Sequence, residues 1–145
     1  MRPYLGTNLG TYLRHWLTFG LRKGLKLPKI YQVNWFRTNN NGRLQWPGFS
    51  ENSRVLDWIF RRLEGEQCAE INALGFGVPA HENGMNTQGL DNFDWDALFG
   101  LDKSFWEKEL GAIRKFFDNY LPIDLPSPIM NQLNSIEQRF KIAKQ

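Results

Sequence analysis

Asn34-Trp35-Phe36-Arg37 and, after a short insert, Trp46-Pro47-Gly48-Phe49-Ser50-Glu51-Asn52-Ser53-Arg54 carry the most distinctive chemistry of this chain. A Pro-Gly turn presents one ring, Phe49, just before a segment with helical spacing, and the preceding segment ends on another ring, Phe36. Between them, Asn39-Asn40-Asn41-Gly42 has the composition of a tight turn, because Asn and Gly tolerate positive φ. Two rings joined by a hairpin can close on a flat heterocycle from both faces, and stacking on one base contributes roughly 1–3 kcal/mol. Backbone N–H groups at the start of the following helix can donate to a base oxygen or an anion. The Asn52 carboxamide has both donors and an acceptor, so it can read a base edge. Spacing alone leaves guanine and adenine both open. The same residues also fit plain packing, with Phe36 and Phe49 as core rings and Asn52 as a helix cap.

Outward from this stretch, periodicity predicts four helices. Leu9, Tyr12, Leu13, Trp16 and Leu17 follow helical spacing, and Gly20, Gly24 and Pro28 end that helix by the mid-twenties. Asn52 or Ser53 is expected to cap a second helix with Val55, Leu56, Ile59, Phe60 and Leu63 on its buried face, closed by Gly65. Ser104 and Glu107 form a capping box for a third, running through Trp106, Leu110, Ile113, Phe117 and Tyr120 to Pro122. Ser127-Pro128 opens a fourth, carrying Ile129, Leu133, Ile136 and Phe140. Lys29–Phe36 is rich in β-formers and reads as a short strand, with Arg43–Trp46 returning as its hairpin partner. Residues 66–100 read as a long irregular loop broken by Gly75, Gly77, Pro79, Gly84 and Gly89, and such loops wrap over other structure or serve function. Two or three short strands do not make a stable sheet alone, so residues 1–65 read as part of a larger one.

The chain has 145 residues, enough for one core, with six Trp and eleven Phe to fill it. A lone cysteine, Cys68, excludes an internal disulfide and fits a reducing compartment. It lacks a neighbouring His or a cationic helix end and reads as inert packing. No apolar run is long enough to span a membrane. Charge is uneven: residues 1–62 hold eleven Lys or Arg against two acids, a net of +9, and residues 63–145 hold seven against thirteen, a net of −6. The basic half suits a polyanion, either a nucleotide phosphate tail or a nucleic acid, or else it faces the acidic half or a partner surface. His15 stands beside Trp16 on a predicted helix. His81 with Glu82 offers too few ligands for a metal, and adjacent residues rarely chelate together.

The central stretch, extended as Trp46-Pro47-Gly48-Phe49-Ser50-Glu51-Asn52-Ser53-Arg54-Val55-Leu56-Asp57-Trp58, resembles the guanine loop of the GTP-dependent phosphoenolpyruvate carboxykinases, whose usual wording is NWFR followed by FLWPGFGENSRVL. Met1-Arg2-Pro3 with Gly6 and Asn8, His15-Trp16-Leu17, Pro28-Lys29-Ile30, Phe105-Trp106-Glu107-Lys108-Glu109 and Asp124-Leu125-Pro126 also look like the family, so the resemblance covers nearly the whole chain. It implies an α/β fold, here the C-terminal part of the carboxykinase nucleotide-binding domain, mostly helical with a few short strands. Residues 1–145 would be a single partial domain, with 1–65 the guanine-binding basic half and 66–145 the long loop and C-terminal helices.

The resemblance also implies a function. Phe36 and Phe49 would sandwich guanine, and Asn52 with the backbone from Phe49 through Ser50 and Glu51 would contact its edge. The chain departs from the family at Leu44, where Phe is usual, and at Ser50, where Gly is usual. The first removes a third aromatic, and the second puts a side chain where the backbone approaches closely. Thr7 and Leu9 replace Tyr and Phe. The family is a decarboxylating lyase of gluconeogenesis that converts oxaloacetate and GTP to phosphoenolpyruvate, GDP and carbon dioxide.

That chemistry needs a Gly-rich phosphate loop and a Mn²⁺ or Mg²⁺ site, both upstream of this region in the family. The chain contains no G-x-x-x-x-G-K-[ST] sequence. It is therefore expected to bind GTP and GDP, to need the missing N-terminal part of the enzyme, to bind no metal, membrane or nucleic acid itself, and to be inactive alone. A cytoplasmic location is expected, with a mitochondrial one as the alternative. Two other classes remain open: a stand-alone nucleotide-binding or interaction module, and a basic single-strand nucleic-acid binder using the same rings.

Overall fold

Helix-spaced apolar residues form helices at all four of the expected places. The computed structural model describes residues 4–39, 41–79, 84–90 and 94–142. Met1-Arg2-Pro3, Asn40 of the tight turn, and His81 with Glu82 lie outside them. The chain divides into two compact units, Met1–Pro28 with Asp102–Gln145, and Lys29–Leu101.

The first unit holds α1 (Leu9–Leu21), α4 (Lys103–Tyr120) and α5 (Ser127–Ile142). Asn8 caps α1, its side-chain oxygen accepting the Thr11 N–H at 3.0 Å, while its amide donates to the Asp124 carboxylate at 3.1 Å. Arg14 donates to the Asp124 carbonyl at 3.1 Å, so α1 is tied to the connection between α4 and α5. Leu110, Leu121, Leu133 and Phe140 are buried, and Trp106 stacks on Phe140 with ring centres 6.0 Å apart. Arg114 on α4 forks onto Glu137 of α5 with contacts of 2.8 to 3.1 Å and also reaches Asn134 at 2.8 Å.

The α4 cap differs from expectation. Asp102, not Ser104, is the N-cap residue: its carboxylate accepts the Phe105 N–H at 2.9 Å and the Ser104 hydroxyl at 2.8 Å. The Phe105 N–H bond and the Ser104 hydroxyl hold the Asp102 carboxyl below the usual range. A carboxylate accepts a helix N–H more strongly than a hydroxyl does, which moves the helix start two residues earlier, to Lys103.

Gly10 is buried where a Cβ would overlap the carbonyl oxygen and Cβ of Asp124. Alanine gains up to about 1 kcal/mol of helix propensity over glycine, but overpacking costs about 1–3 kcal/mol. Gly10→Ala is therefore expected to lower the thermal midpoint, which a melt followed by circular dichroism checks.

The second unit is built on Trp46, Trp58, Cys68, Met85 and Leu98, with Tyr31, Trp35, Val55 and Ile59 packed against them. Cys68 is buried, in keeping with a packing role. Helix α2 (Asn52–Glu64) ends on Gly65, whose φ of +95° lets its N–H close back onto the carbonyls of Arg61 and Arg62. Only part of the expected face of α2 is inward. Val55 and Ile59 pack with Trp58, while Leu56, Phe60 and Leu63 are 52%, 61% and 52% exposed. Trp58 sets this rotation, since its indole N–H donates to the Cys68 carbonyl at 2.6 Å.

The strands are a correction. Lys29–Phe36 forms no strand, and the expected hairpin is reduced to one bridge, Thr38 with Leu44. A strand needs a neighbour to take its backbone groups, and the described residues supply none beyond that bridge. The sheet lies instead inside the stretch read as irregular. Strands β1 (Glu70–Ile71) and β2 (Phe76–Gly77) pair antiparallel, Glu70 opposite Gly77 and Ile71 opposite Phe76. Their turn is closed by the Asn72 side chain, which accepts from the N–H of Leu74 at 3.0 Å and of Gly75 at 3.2 Å. A short α3 (Trp95–Phe99) follows, capped by Asp94. The described residues are thus mostly helical with one two-stranded antiparallel sheet. Among the described residues no helix is long and apolar enough to cross a membrane.

Candidate nucleotide-base site

The site grows from two local turns. The Asn34 side chain accepts the Phe36 N–H at 3.0 Å, an Asx turn that swings Phe36 out until it is 76% exposed. The Asn39 side chain then accepts from the N–H groups of Asn41 and Arg43, both at 3.0 Å, and the chain reverses. Leu44 sits in the bridge with Thr38 and is half exposed. Gly48, at φ +100°, makes the second reversal, a conformation that favours glycine. It launches the 3-10 turn Phe49–Glu51, which runs directly into α2. Phe49 stands on that turn 95% exposed.

Neither ring packs into the core of the described residues. The core of this unit is made by Trp46, Trp58 and their neighbours, and neither Phe36 nor Phe49 belongs to it. A phenylalanine left almost wholly in water is apolar surface open to a ligand or a partner.

Asn52 is also not a cap. Glu51 occupies the N-cap position and makes no side-chain cap bond. The Asn52 side-chain oxygen instead accepts the indole N–H of Trp46 at 2.9 Å. Ser53 donates its hydroxyl to the Ser50 carbonyl at 3.1 Å, and the Ser50 hydroxyl donates to Glu51 at 3.2 Å. Ser50 thereby spends its extra hydroxyl on its neighbour within the turn.

Glu51 is paired with Arg54 in a short contact. The Arg54 hydrogen bond, helped by its charge and by the Ser50 hydroxyl, holds the Glu51 carboxyl below the usual range against a partial cost of burial. Arg54 also donates to the carbonyls of Asn86 at 2.9 Å and Gln88 at 3.0 Å. One guanidinium thus clamps both the turn carrying Phe49 and the loop through Asn86–Gln88. Arg37 works similarly, donating to the carbonyls of Leu98 at 2.7 Å and Gly100 at 3.0 Å. Arg61 pairs with Asp57 at 3.1 Å and Glu66 at 3.3 Å and reaches the Gly84 carbonyl. With Arg14 on the Asp124 carbonyl and Arg62 on the Glu66 carbonyl, five of the eleven basic residues of the first 62 are spent on carbonyls and carboxylates of the chain itself.

Sequence reasoning missed Trp46, Arg37 and Arg54 as parts of the site. One signal was available for Trp46: an indole N–H donates only, so a buried Trp beside a turn needs a nearby acceptor, and Asn52 is the polar side chain within reach. No local pattern gave Arg37, whose acceptors lie more than sixty residues away, and for Arg54 only the i, i+3 pair with Glu51 was local.

A lowered Glu51 pKa makes the clamp acid-sensitive. Its contribution is complete above the unfolded-state value and is lost as pH falls through the lower folded-state value. Binding of guanosine, which carries no phosphate to titrate, is expected to weaken on the acid side of the usual carboxylate range. Glu51→Gln should flatten that part of the profile, and an unchanged acid limb in the variant would assign it elsewhere.

Among the described residues no group of three or more His, Cys, Asp or Glu is placed to hold a metal ion. Cavities of about 310 Å³, beside Leu121 and Met130, and about 200 Å³, beside Asn72 and Trp95, share no residue with the turns described above. Phe36 and Phe49 are exposed on the two turns, and Asn52 opens the helix that follows.

Residues 1–139 match the family described as the phosphoenolpyruvate carboxykinase C-terminal P-loop domain. The chain belongs to the GTP-dependent phosphoenolpyruvate carboxykinases. It is 47% identical over 139 residues to the mitochondrial phosphoenolpyruvate carboxykinase [GTP] of Homo sapiens, covering 96% of this chain and 21% of that protein. It is 45% identical over 139 residues to the cytosolic carboxykinase of Bos taurus, with 96% and 22% covered. It is 43% identical over 141 residues to the cytosolic form of Gallus gallus, with 97% and 22% covered. The chain thus spans about 22% of the length of these carboxykinases, whose named forms are both cytosolic and mitochondrial.

Proposed function

We propose that this chain is the C-terminal guanine-nucleotide-binding portion of a GTP-dependent phosphoenolpyruvate carboxykinase. In that enzyme oxaloacetate and GTP become phosphoenolpyruvate, GDP and carbon dioxide, a gluconeogenic step. Phe36 and Phe49 stack on the two faces of the guanine, and Asn52 with the Phe49-Ser50-Glu51 backbone reads its edge. The observation that carries this reading is the pairing of two exposed rings with an Asn52 side chain held by Trp46 rather than spent on a cap.

The phosphate loop and the Mn²⁺ or Mg²⁺ ligands belong to the remainder of the enzyme. Among the described residues no group of three or more His, Cys, Asp or Glu is placed to hold a metal, so no step is assigned to one here. The partner is that remainder, and the exposed Leu56, Phe60 and Leu63 of α2 are apolar surface for it to cover. Both cytoplasmic and mitochondrial locations agree with the family, and the cytoplasm is our assignment.

Calorimetry with GTP, GDP and ATP tests the pocket. Guanine nucleotides are expected to bind with saturation and preference over ATP, and the preference should disappear in Asn52→Ala. Equal binding of all three before and after the change would refute the reading. In a single-turnover assay with GTP, Mn²⁺ and oxaloacetate the isolated chain is expected to form no phosphoenolpyruvate, and product formation would overturn the division of labour.

A further inference from the structure

The cavity of about 200 Å³ lies within the second unit, between the β1–β2 hairpin and α3. Glu70 and Asn72 line it from the hairpin, and Trp95, Asp96, Phe99 and Gly100 from α3 and its end. Glu70 stands opposite Gly77, where a Cβ would overlap the Asn72 amide, so glycine there lets the Asn72 side chain lie along the hairpin. The rings of Trp95 and Phe99 are 5.1 Å apart, tilted by 37°, and both also pack against the core. Among the described residues neither the Glu70 nor the Asp96 carboxylate has a hydrogen bond or an ion pair. Arg37, bonded to the Leu98 and Gly100 carbonyls at 2.7 and 3.0 Å, holds the end of α3 and neither carboxylate.

We propose that this cavity is a recognition site for a guanidinium group, carried by an arginine side chain of a protein or by a small guanidinium compound. Glu70 and Asp96 bring one carboxylate from each wall, which gives the planar fork of donors an acceptor on both sides. The aromatic wall gives the same plane a face to stack on. An ammonium is compact and strongly hydrated, and gains less from such a wall. Drug-sized ligands fill about 300–1,000 Å³, so this smaller space takes a head group and its stem. A divalent cation is a poorer fit, because the Asn72 oxygen is already spent on the N–H groups of Leu74 and Gly75 and only two carboxylates remain. Both carboxylates are exposed, so each ion pair contributes up to about fivefold in affinity and a free head group binds weakly. The site stands apart from Phe36, Phe49 and Asn52, whether or not those residues hold a base.

The test titrates the full chain, at constant ionic strength, with the acetylated amides of arginine and lysine and with propylguanidinium, followed by nuclear magnetic resonance. The arginine compound is expected to shift the Trp95 indole N–H, the Asn72 carboxamide and the Gly100 amide along one saturating curve. It should bind about threefold or more tighter than the lysine compound. Glu70→Gln and Asp96→Asn keep the shape and remove the charge, and each should weaken binding by up to about fivefold. The double variant should not saturate. Equal binding of the arginine and lysine compounds overturns the choice of a guanidinium. Shifts spread over exposed acids without saturation, or a curve unchanged in the double variant, overturn the site.

Propylguanidinium separates the two sources. Affinity equal to that of the arginine compound shows that the head group is enough, and binding of the arginine compound alone assigns the site to a protein side chain. A thermal melt shows whether the variants fold. If Asp96→Asn unfolds the short α3, Glu70→Gln decides by itself: weaker binding supports the proposal, and unchanged binding refutes it.

Discussion

Phe49→Ala lowers affinity for guanine nucleotides by about fivefold to a hundredfold and leaves the thermal midpoint where it was. The binding loss follows from the roughly 1–3 kcal/mol that stacking on one base contributes. The unchanged stability follows from the position of the ring, which is 95% exposed and outside the core, so truncating it opens no cavity. The two readouts together separate a binding ring from a packing ring. Calorimetry with GDP and a melt of each protein supply them, and a large fall in midpoint with no change in affinity would assign Phe49 to the core after all. Gly48→Ala is a useful companion, since it strains the φ of +100° that aims the ring while leaving the ring itself in place.

Trp58→Ala is expected to have the opposite signature. Trp58 is 7% exposed, packs at the centre of the second unit, and donates its N–H to the Cys68 carbonyl at 2.6 Å. Removing a buried Trp costs about 3–5 kcal/mol, against a total stability of about 5–15 kcal/mol for a domain. The Lys29–Leu101 unit should therefore melt far earlier, with nucleotide binding lost because the frame under Phe36 and Phe49 has gone. Trp58→Phe keeps most of the volume but leaves the Cys68 carbonyl without its donor, and should cost about 1–3 kcal/mol. Denaturant titration of the three proteins orders them, and a Trp58→Ala protein as stable as the parent would show that this core does not hold the unit together.

The helices were legible because their information is local. Apolar spacing gave α1, α2, α4 and α5, and glycine gave the stop of α2 at Gly65. Caps were less legible, since Asp102, Ser104, Asn52 and Ser53 all carry side chains able to cap, and geometry chooses among them. Asp102 won through its carboxylate, and Asn52 was withdrawn by a competitor six residues earlier, Trp46. Strands were least legible. Lys29–Phe36 has strand composition but no strand partner among the described residues, and β1 and β2 are too short to show any alternation.

Of the site, the sequence by itself determined the membership of the chain in the carboxykinase family and the chemical parts: two rings, two reversals and an amide just before a helix. Those are fixed by residue type and short-range spacing, which steric and hydrogen-bonding preferences of a few neighbouring residues are enough to specify. Only the tertiary structure decided that Phe36 and Phe49 face solvent while Trp46 and Trp58 take the core. It alone decided that Arg37 and Arg54 spend their charge on loop carbonyls, and that the Asn52 oxygen is already occupied. The arginine contacts to loop carbonyls depend on groups that meet across long stretches of chain, and the ring burial and the Trp46–Asn52 bond depend on how the chain packs, where burial and unsatisfied donors choose the partner.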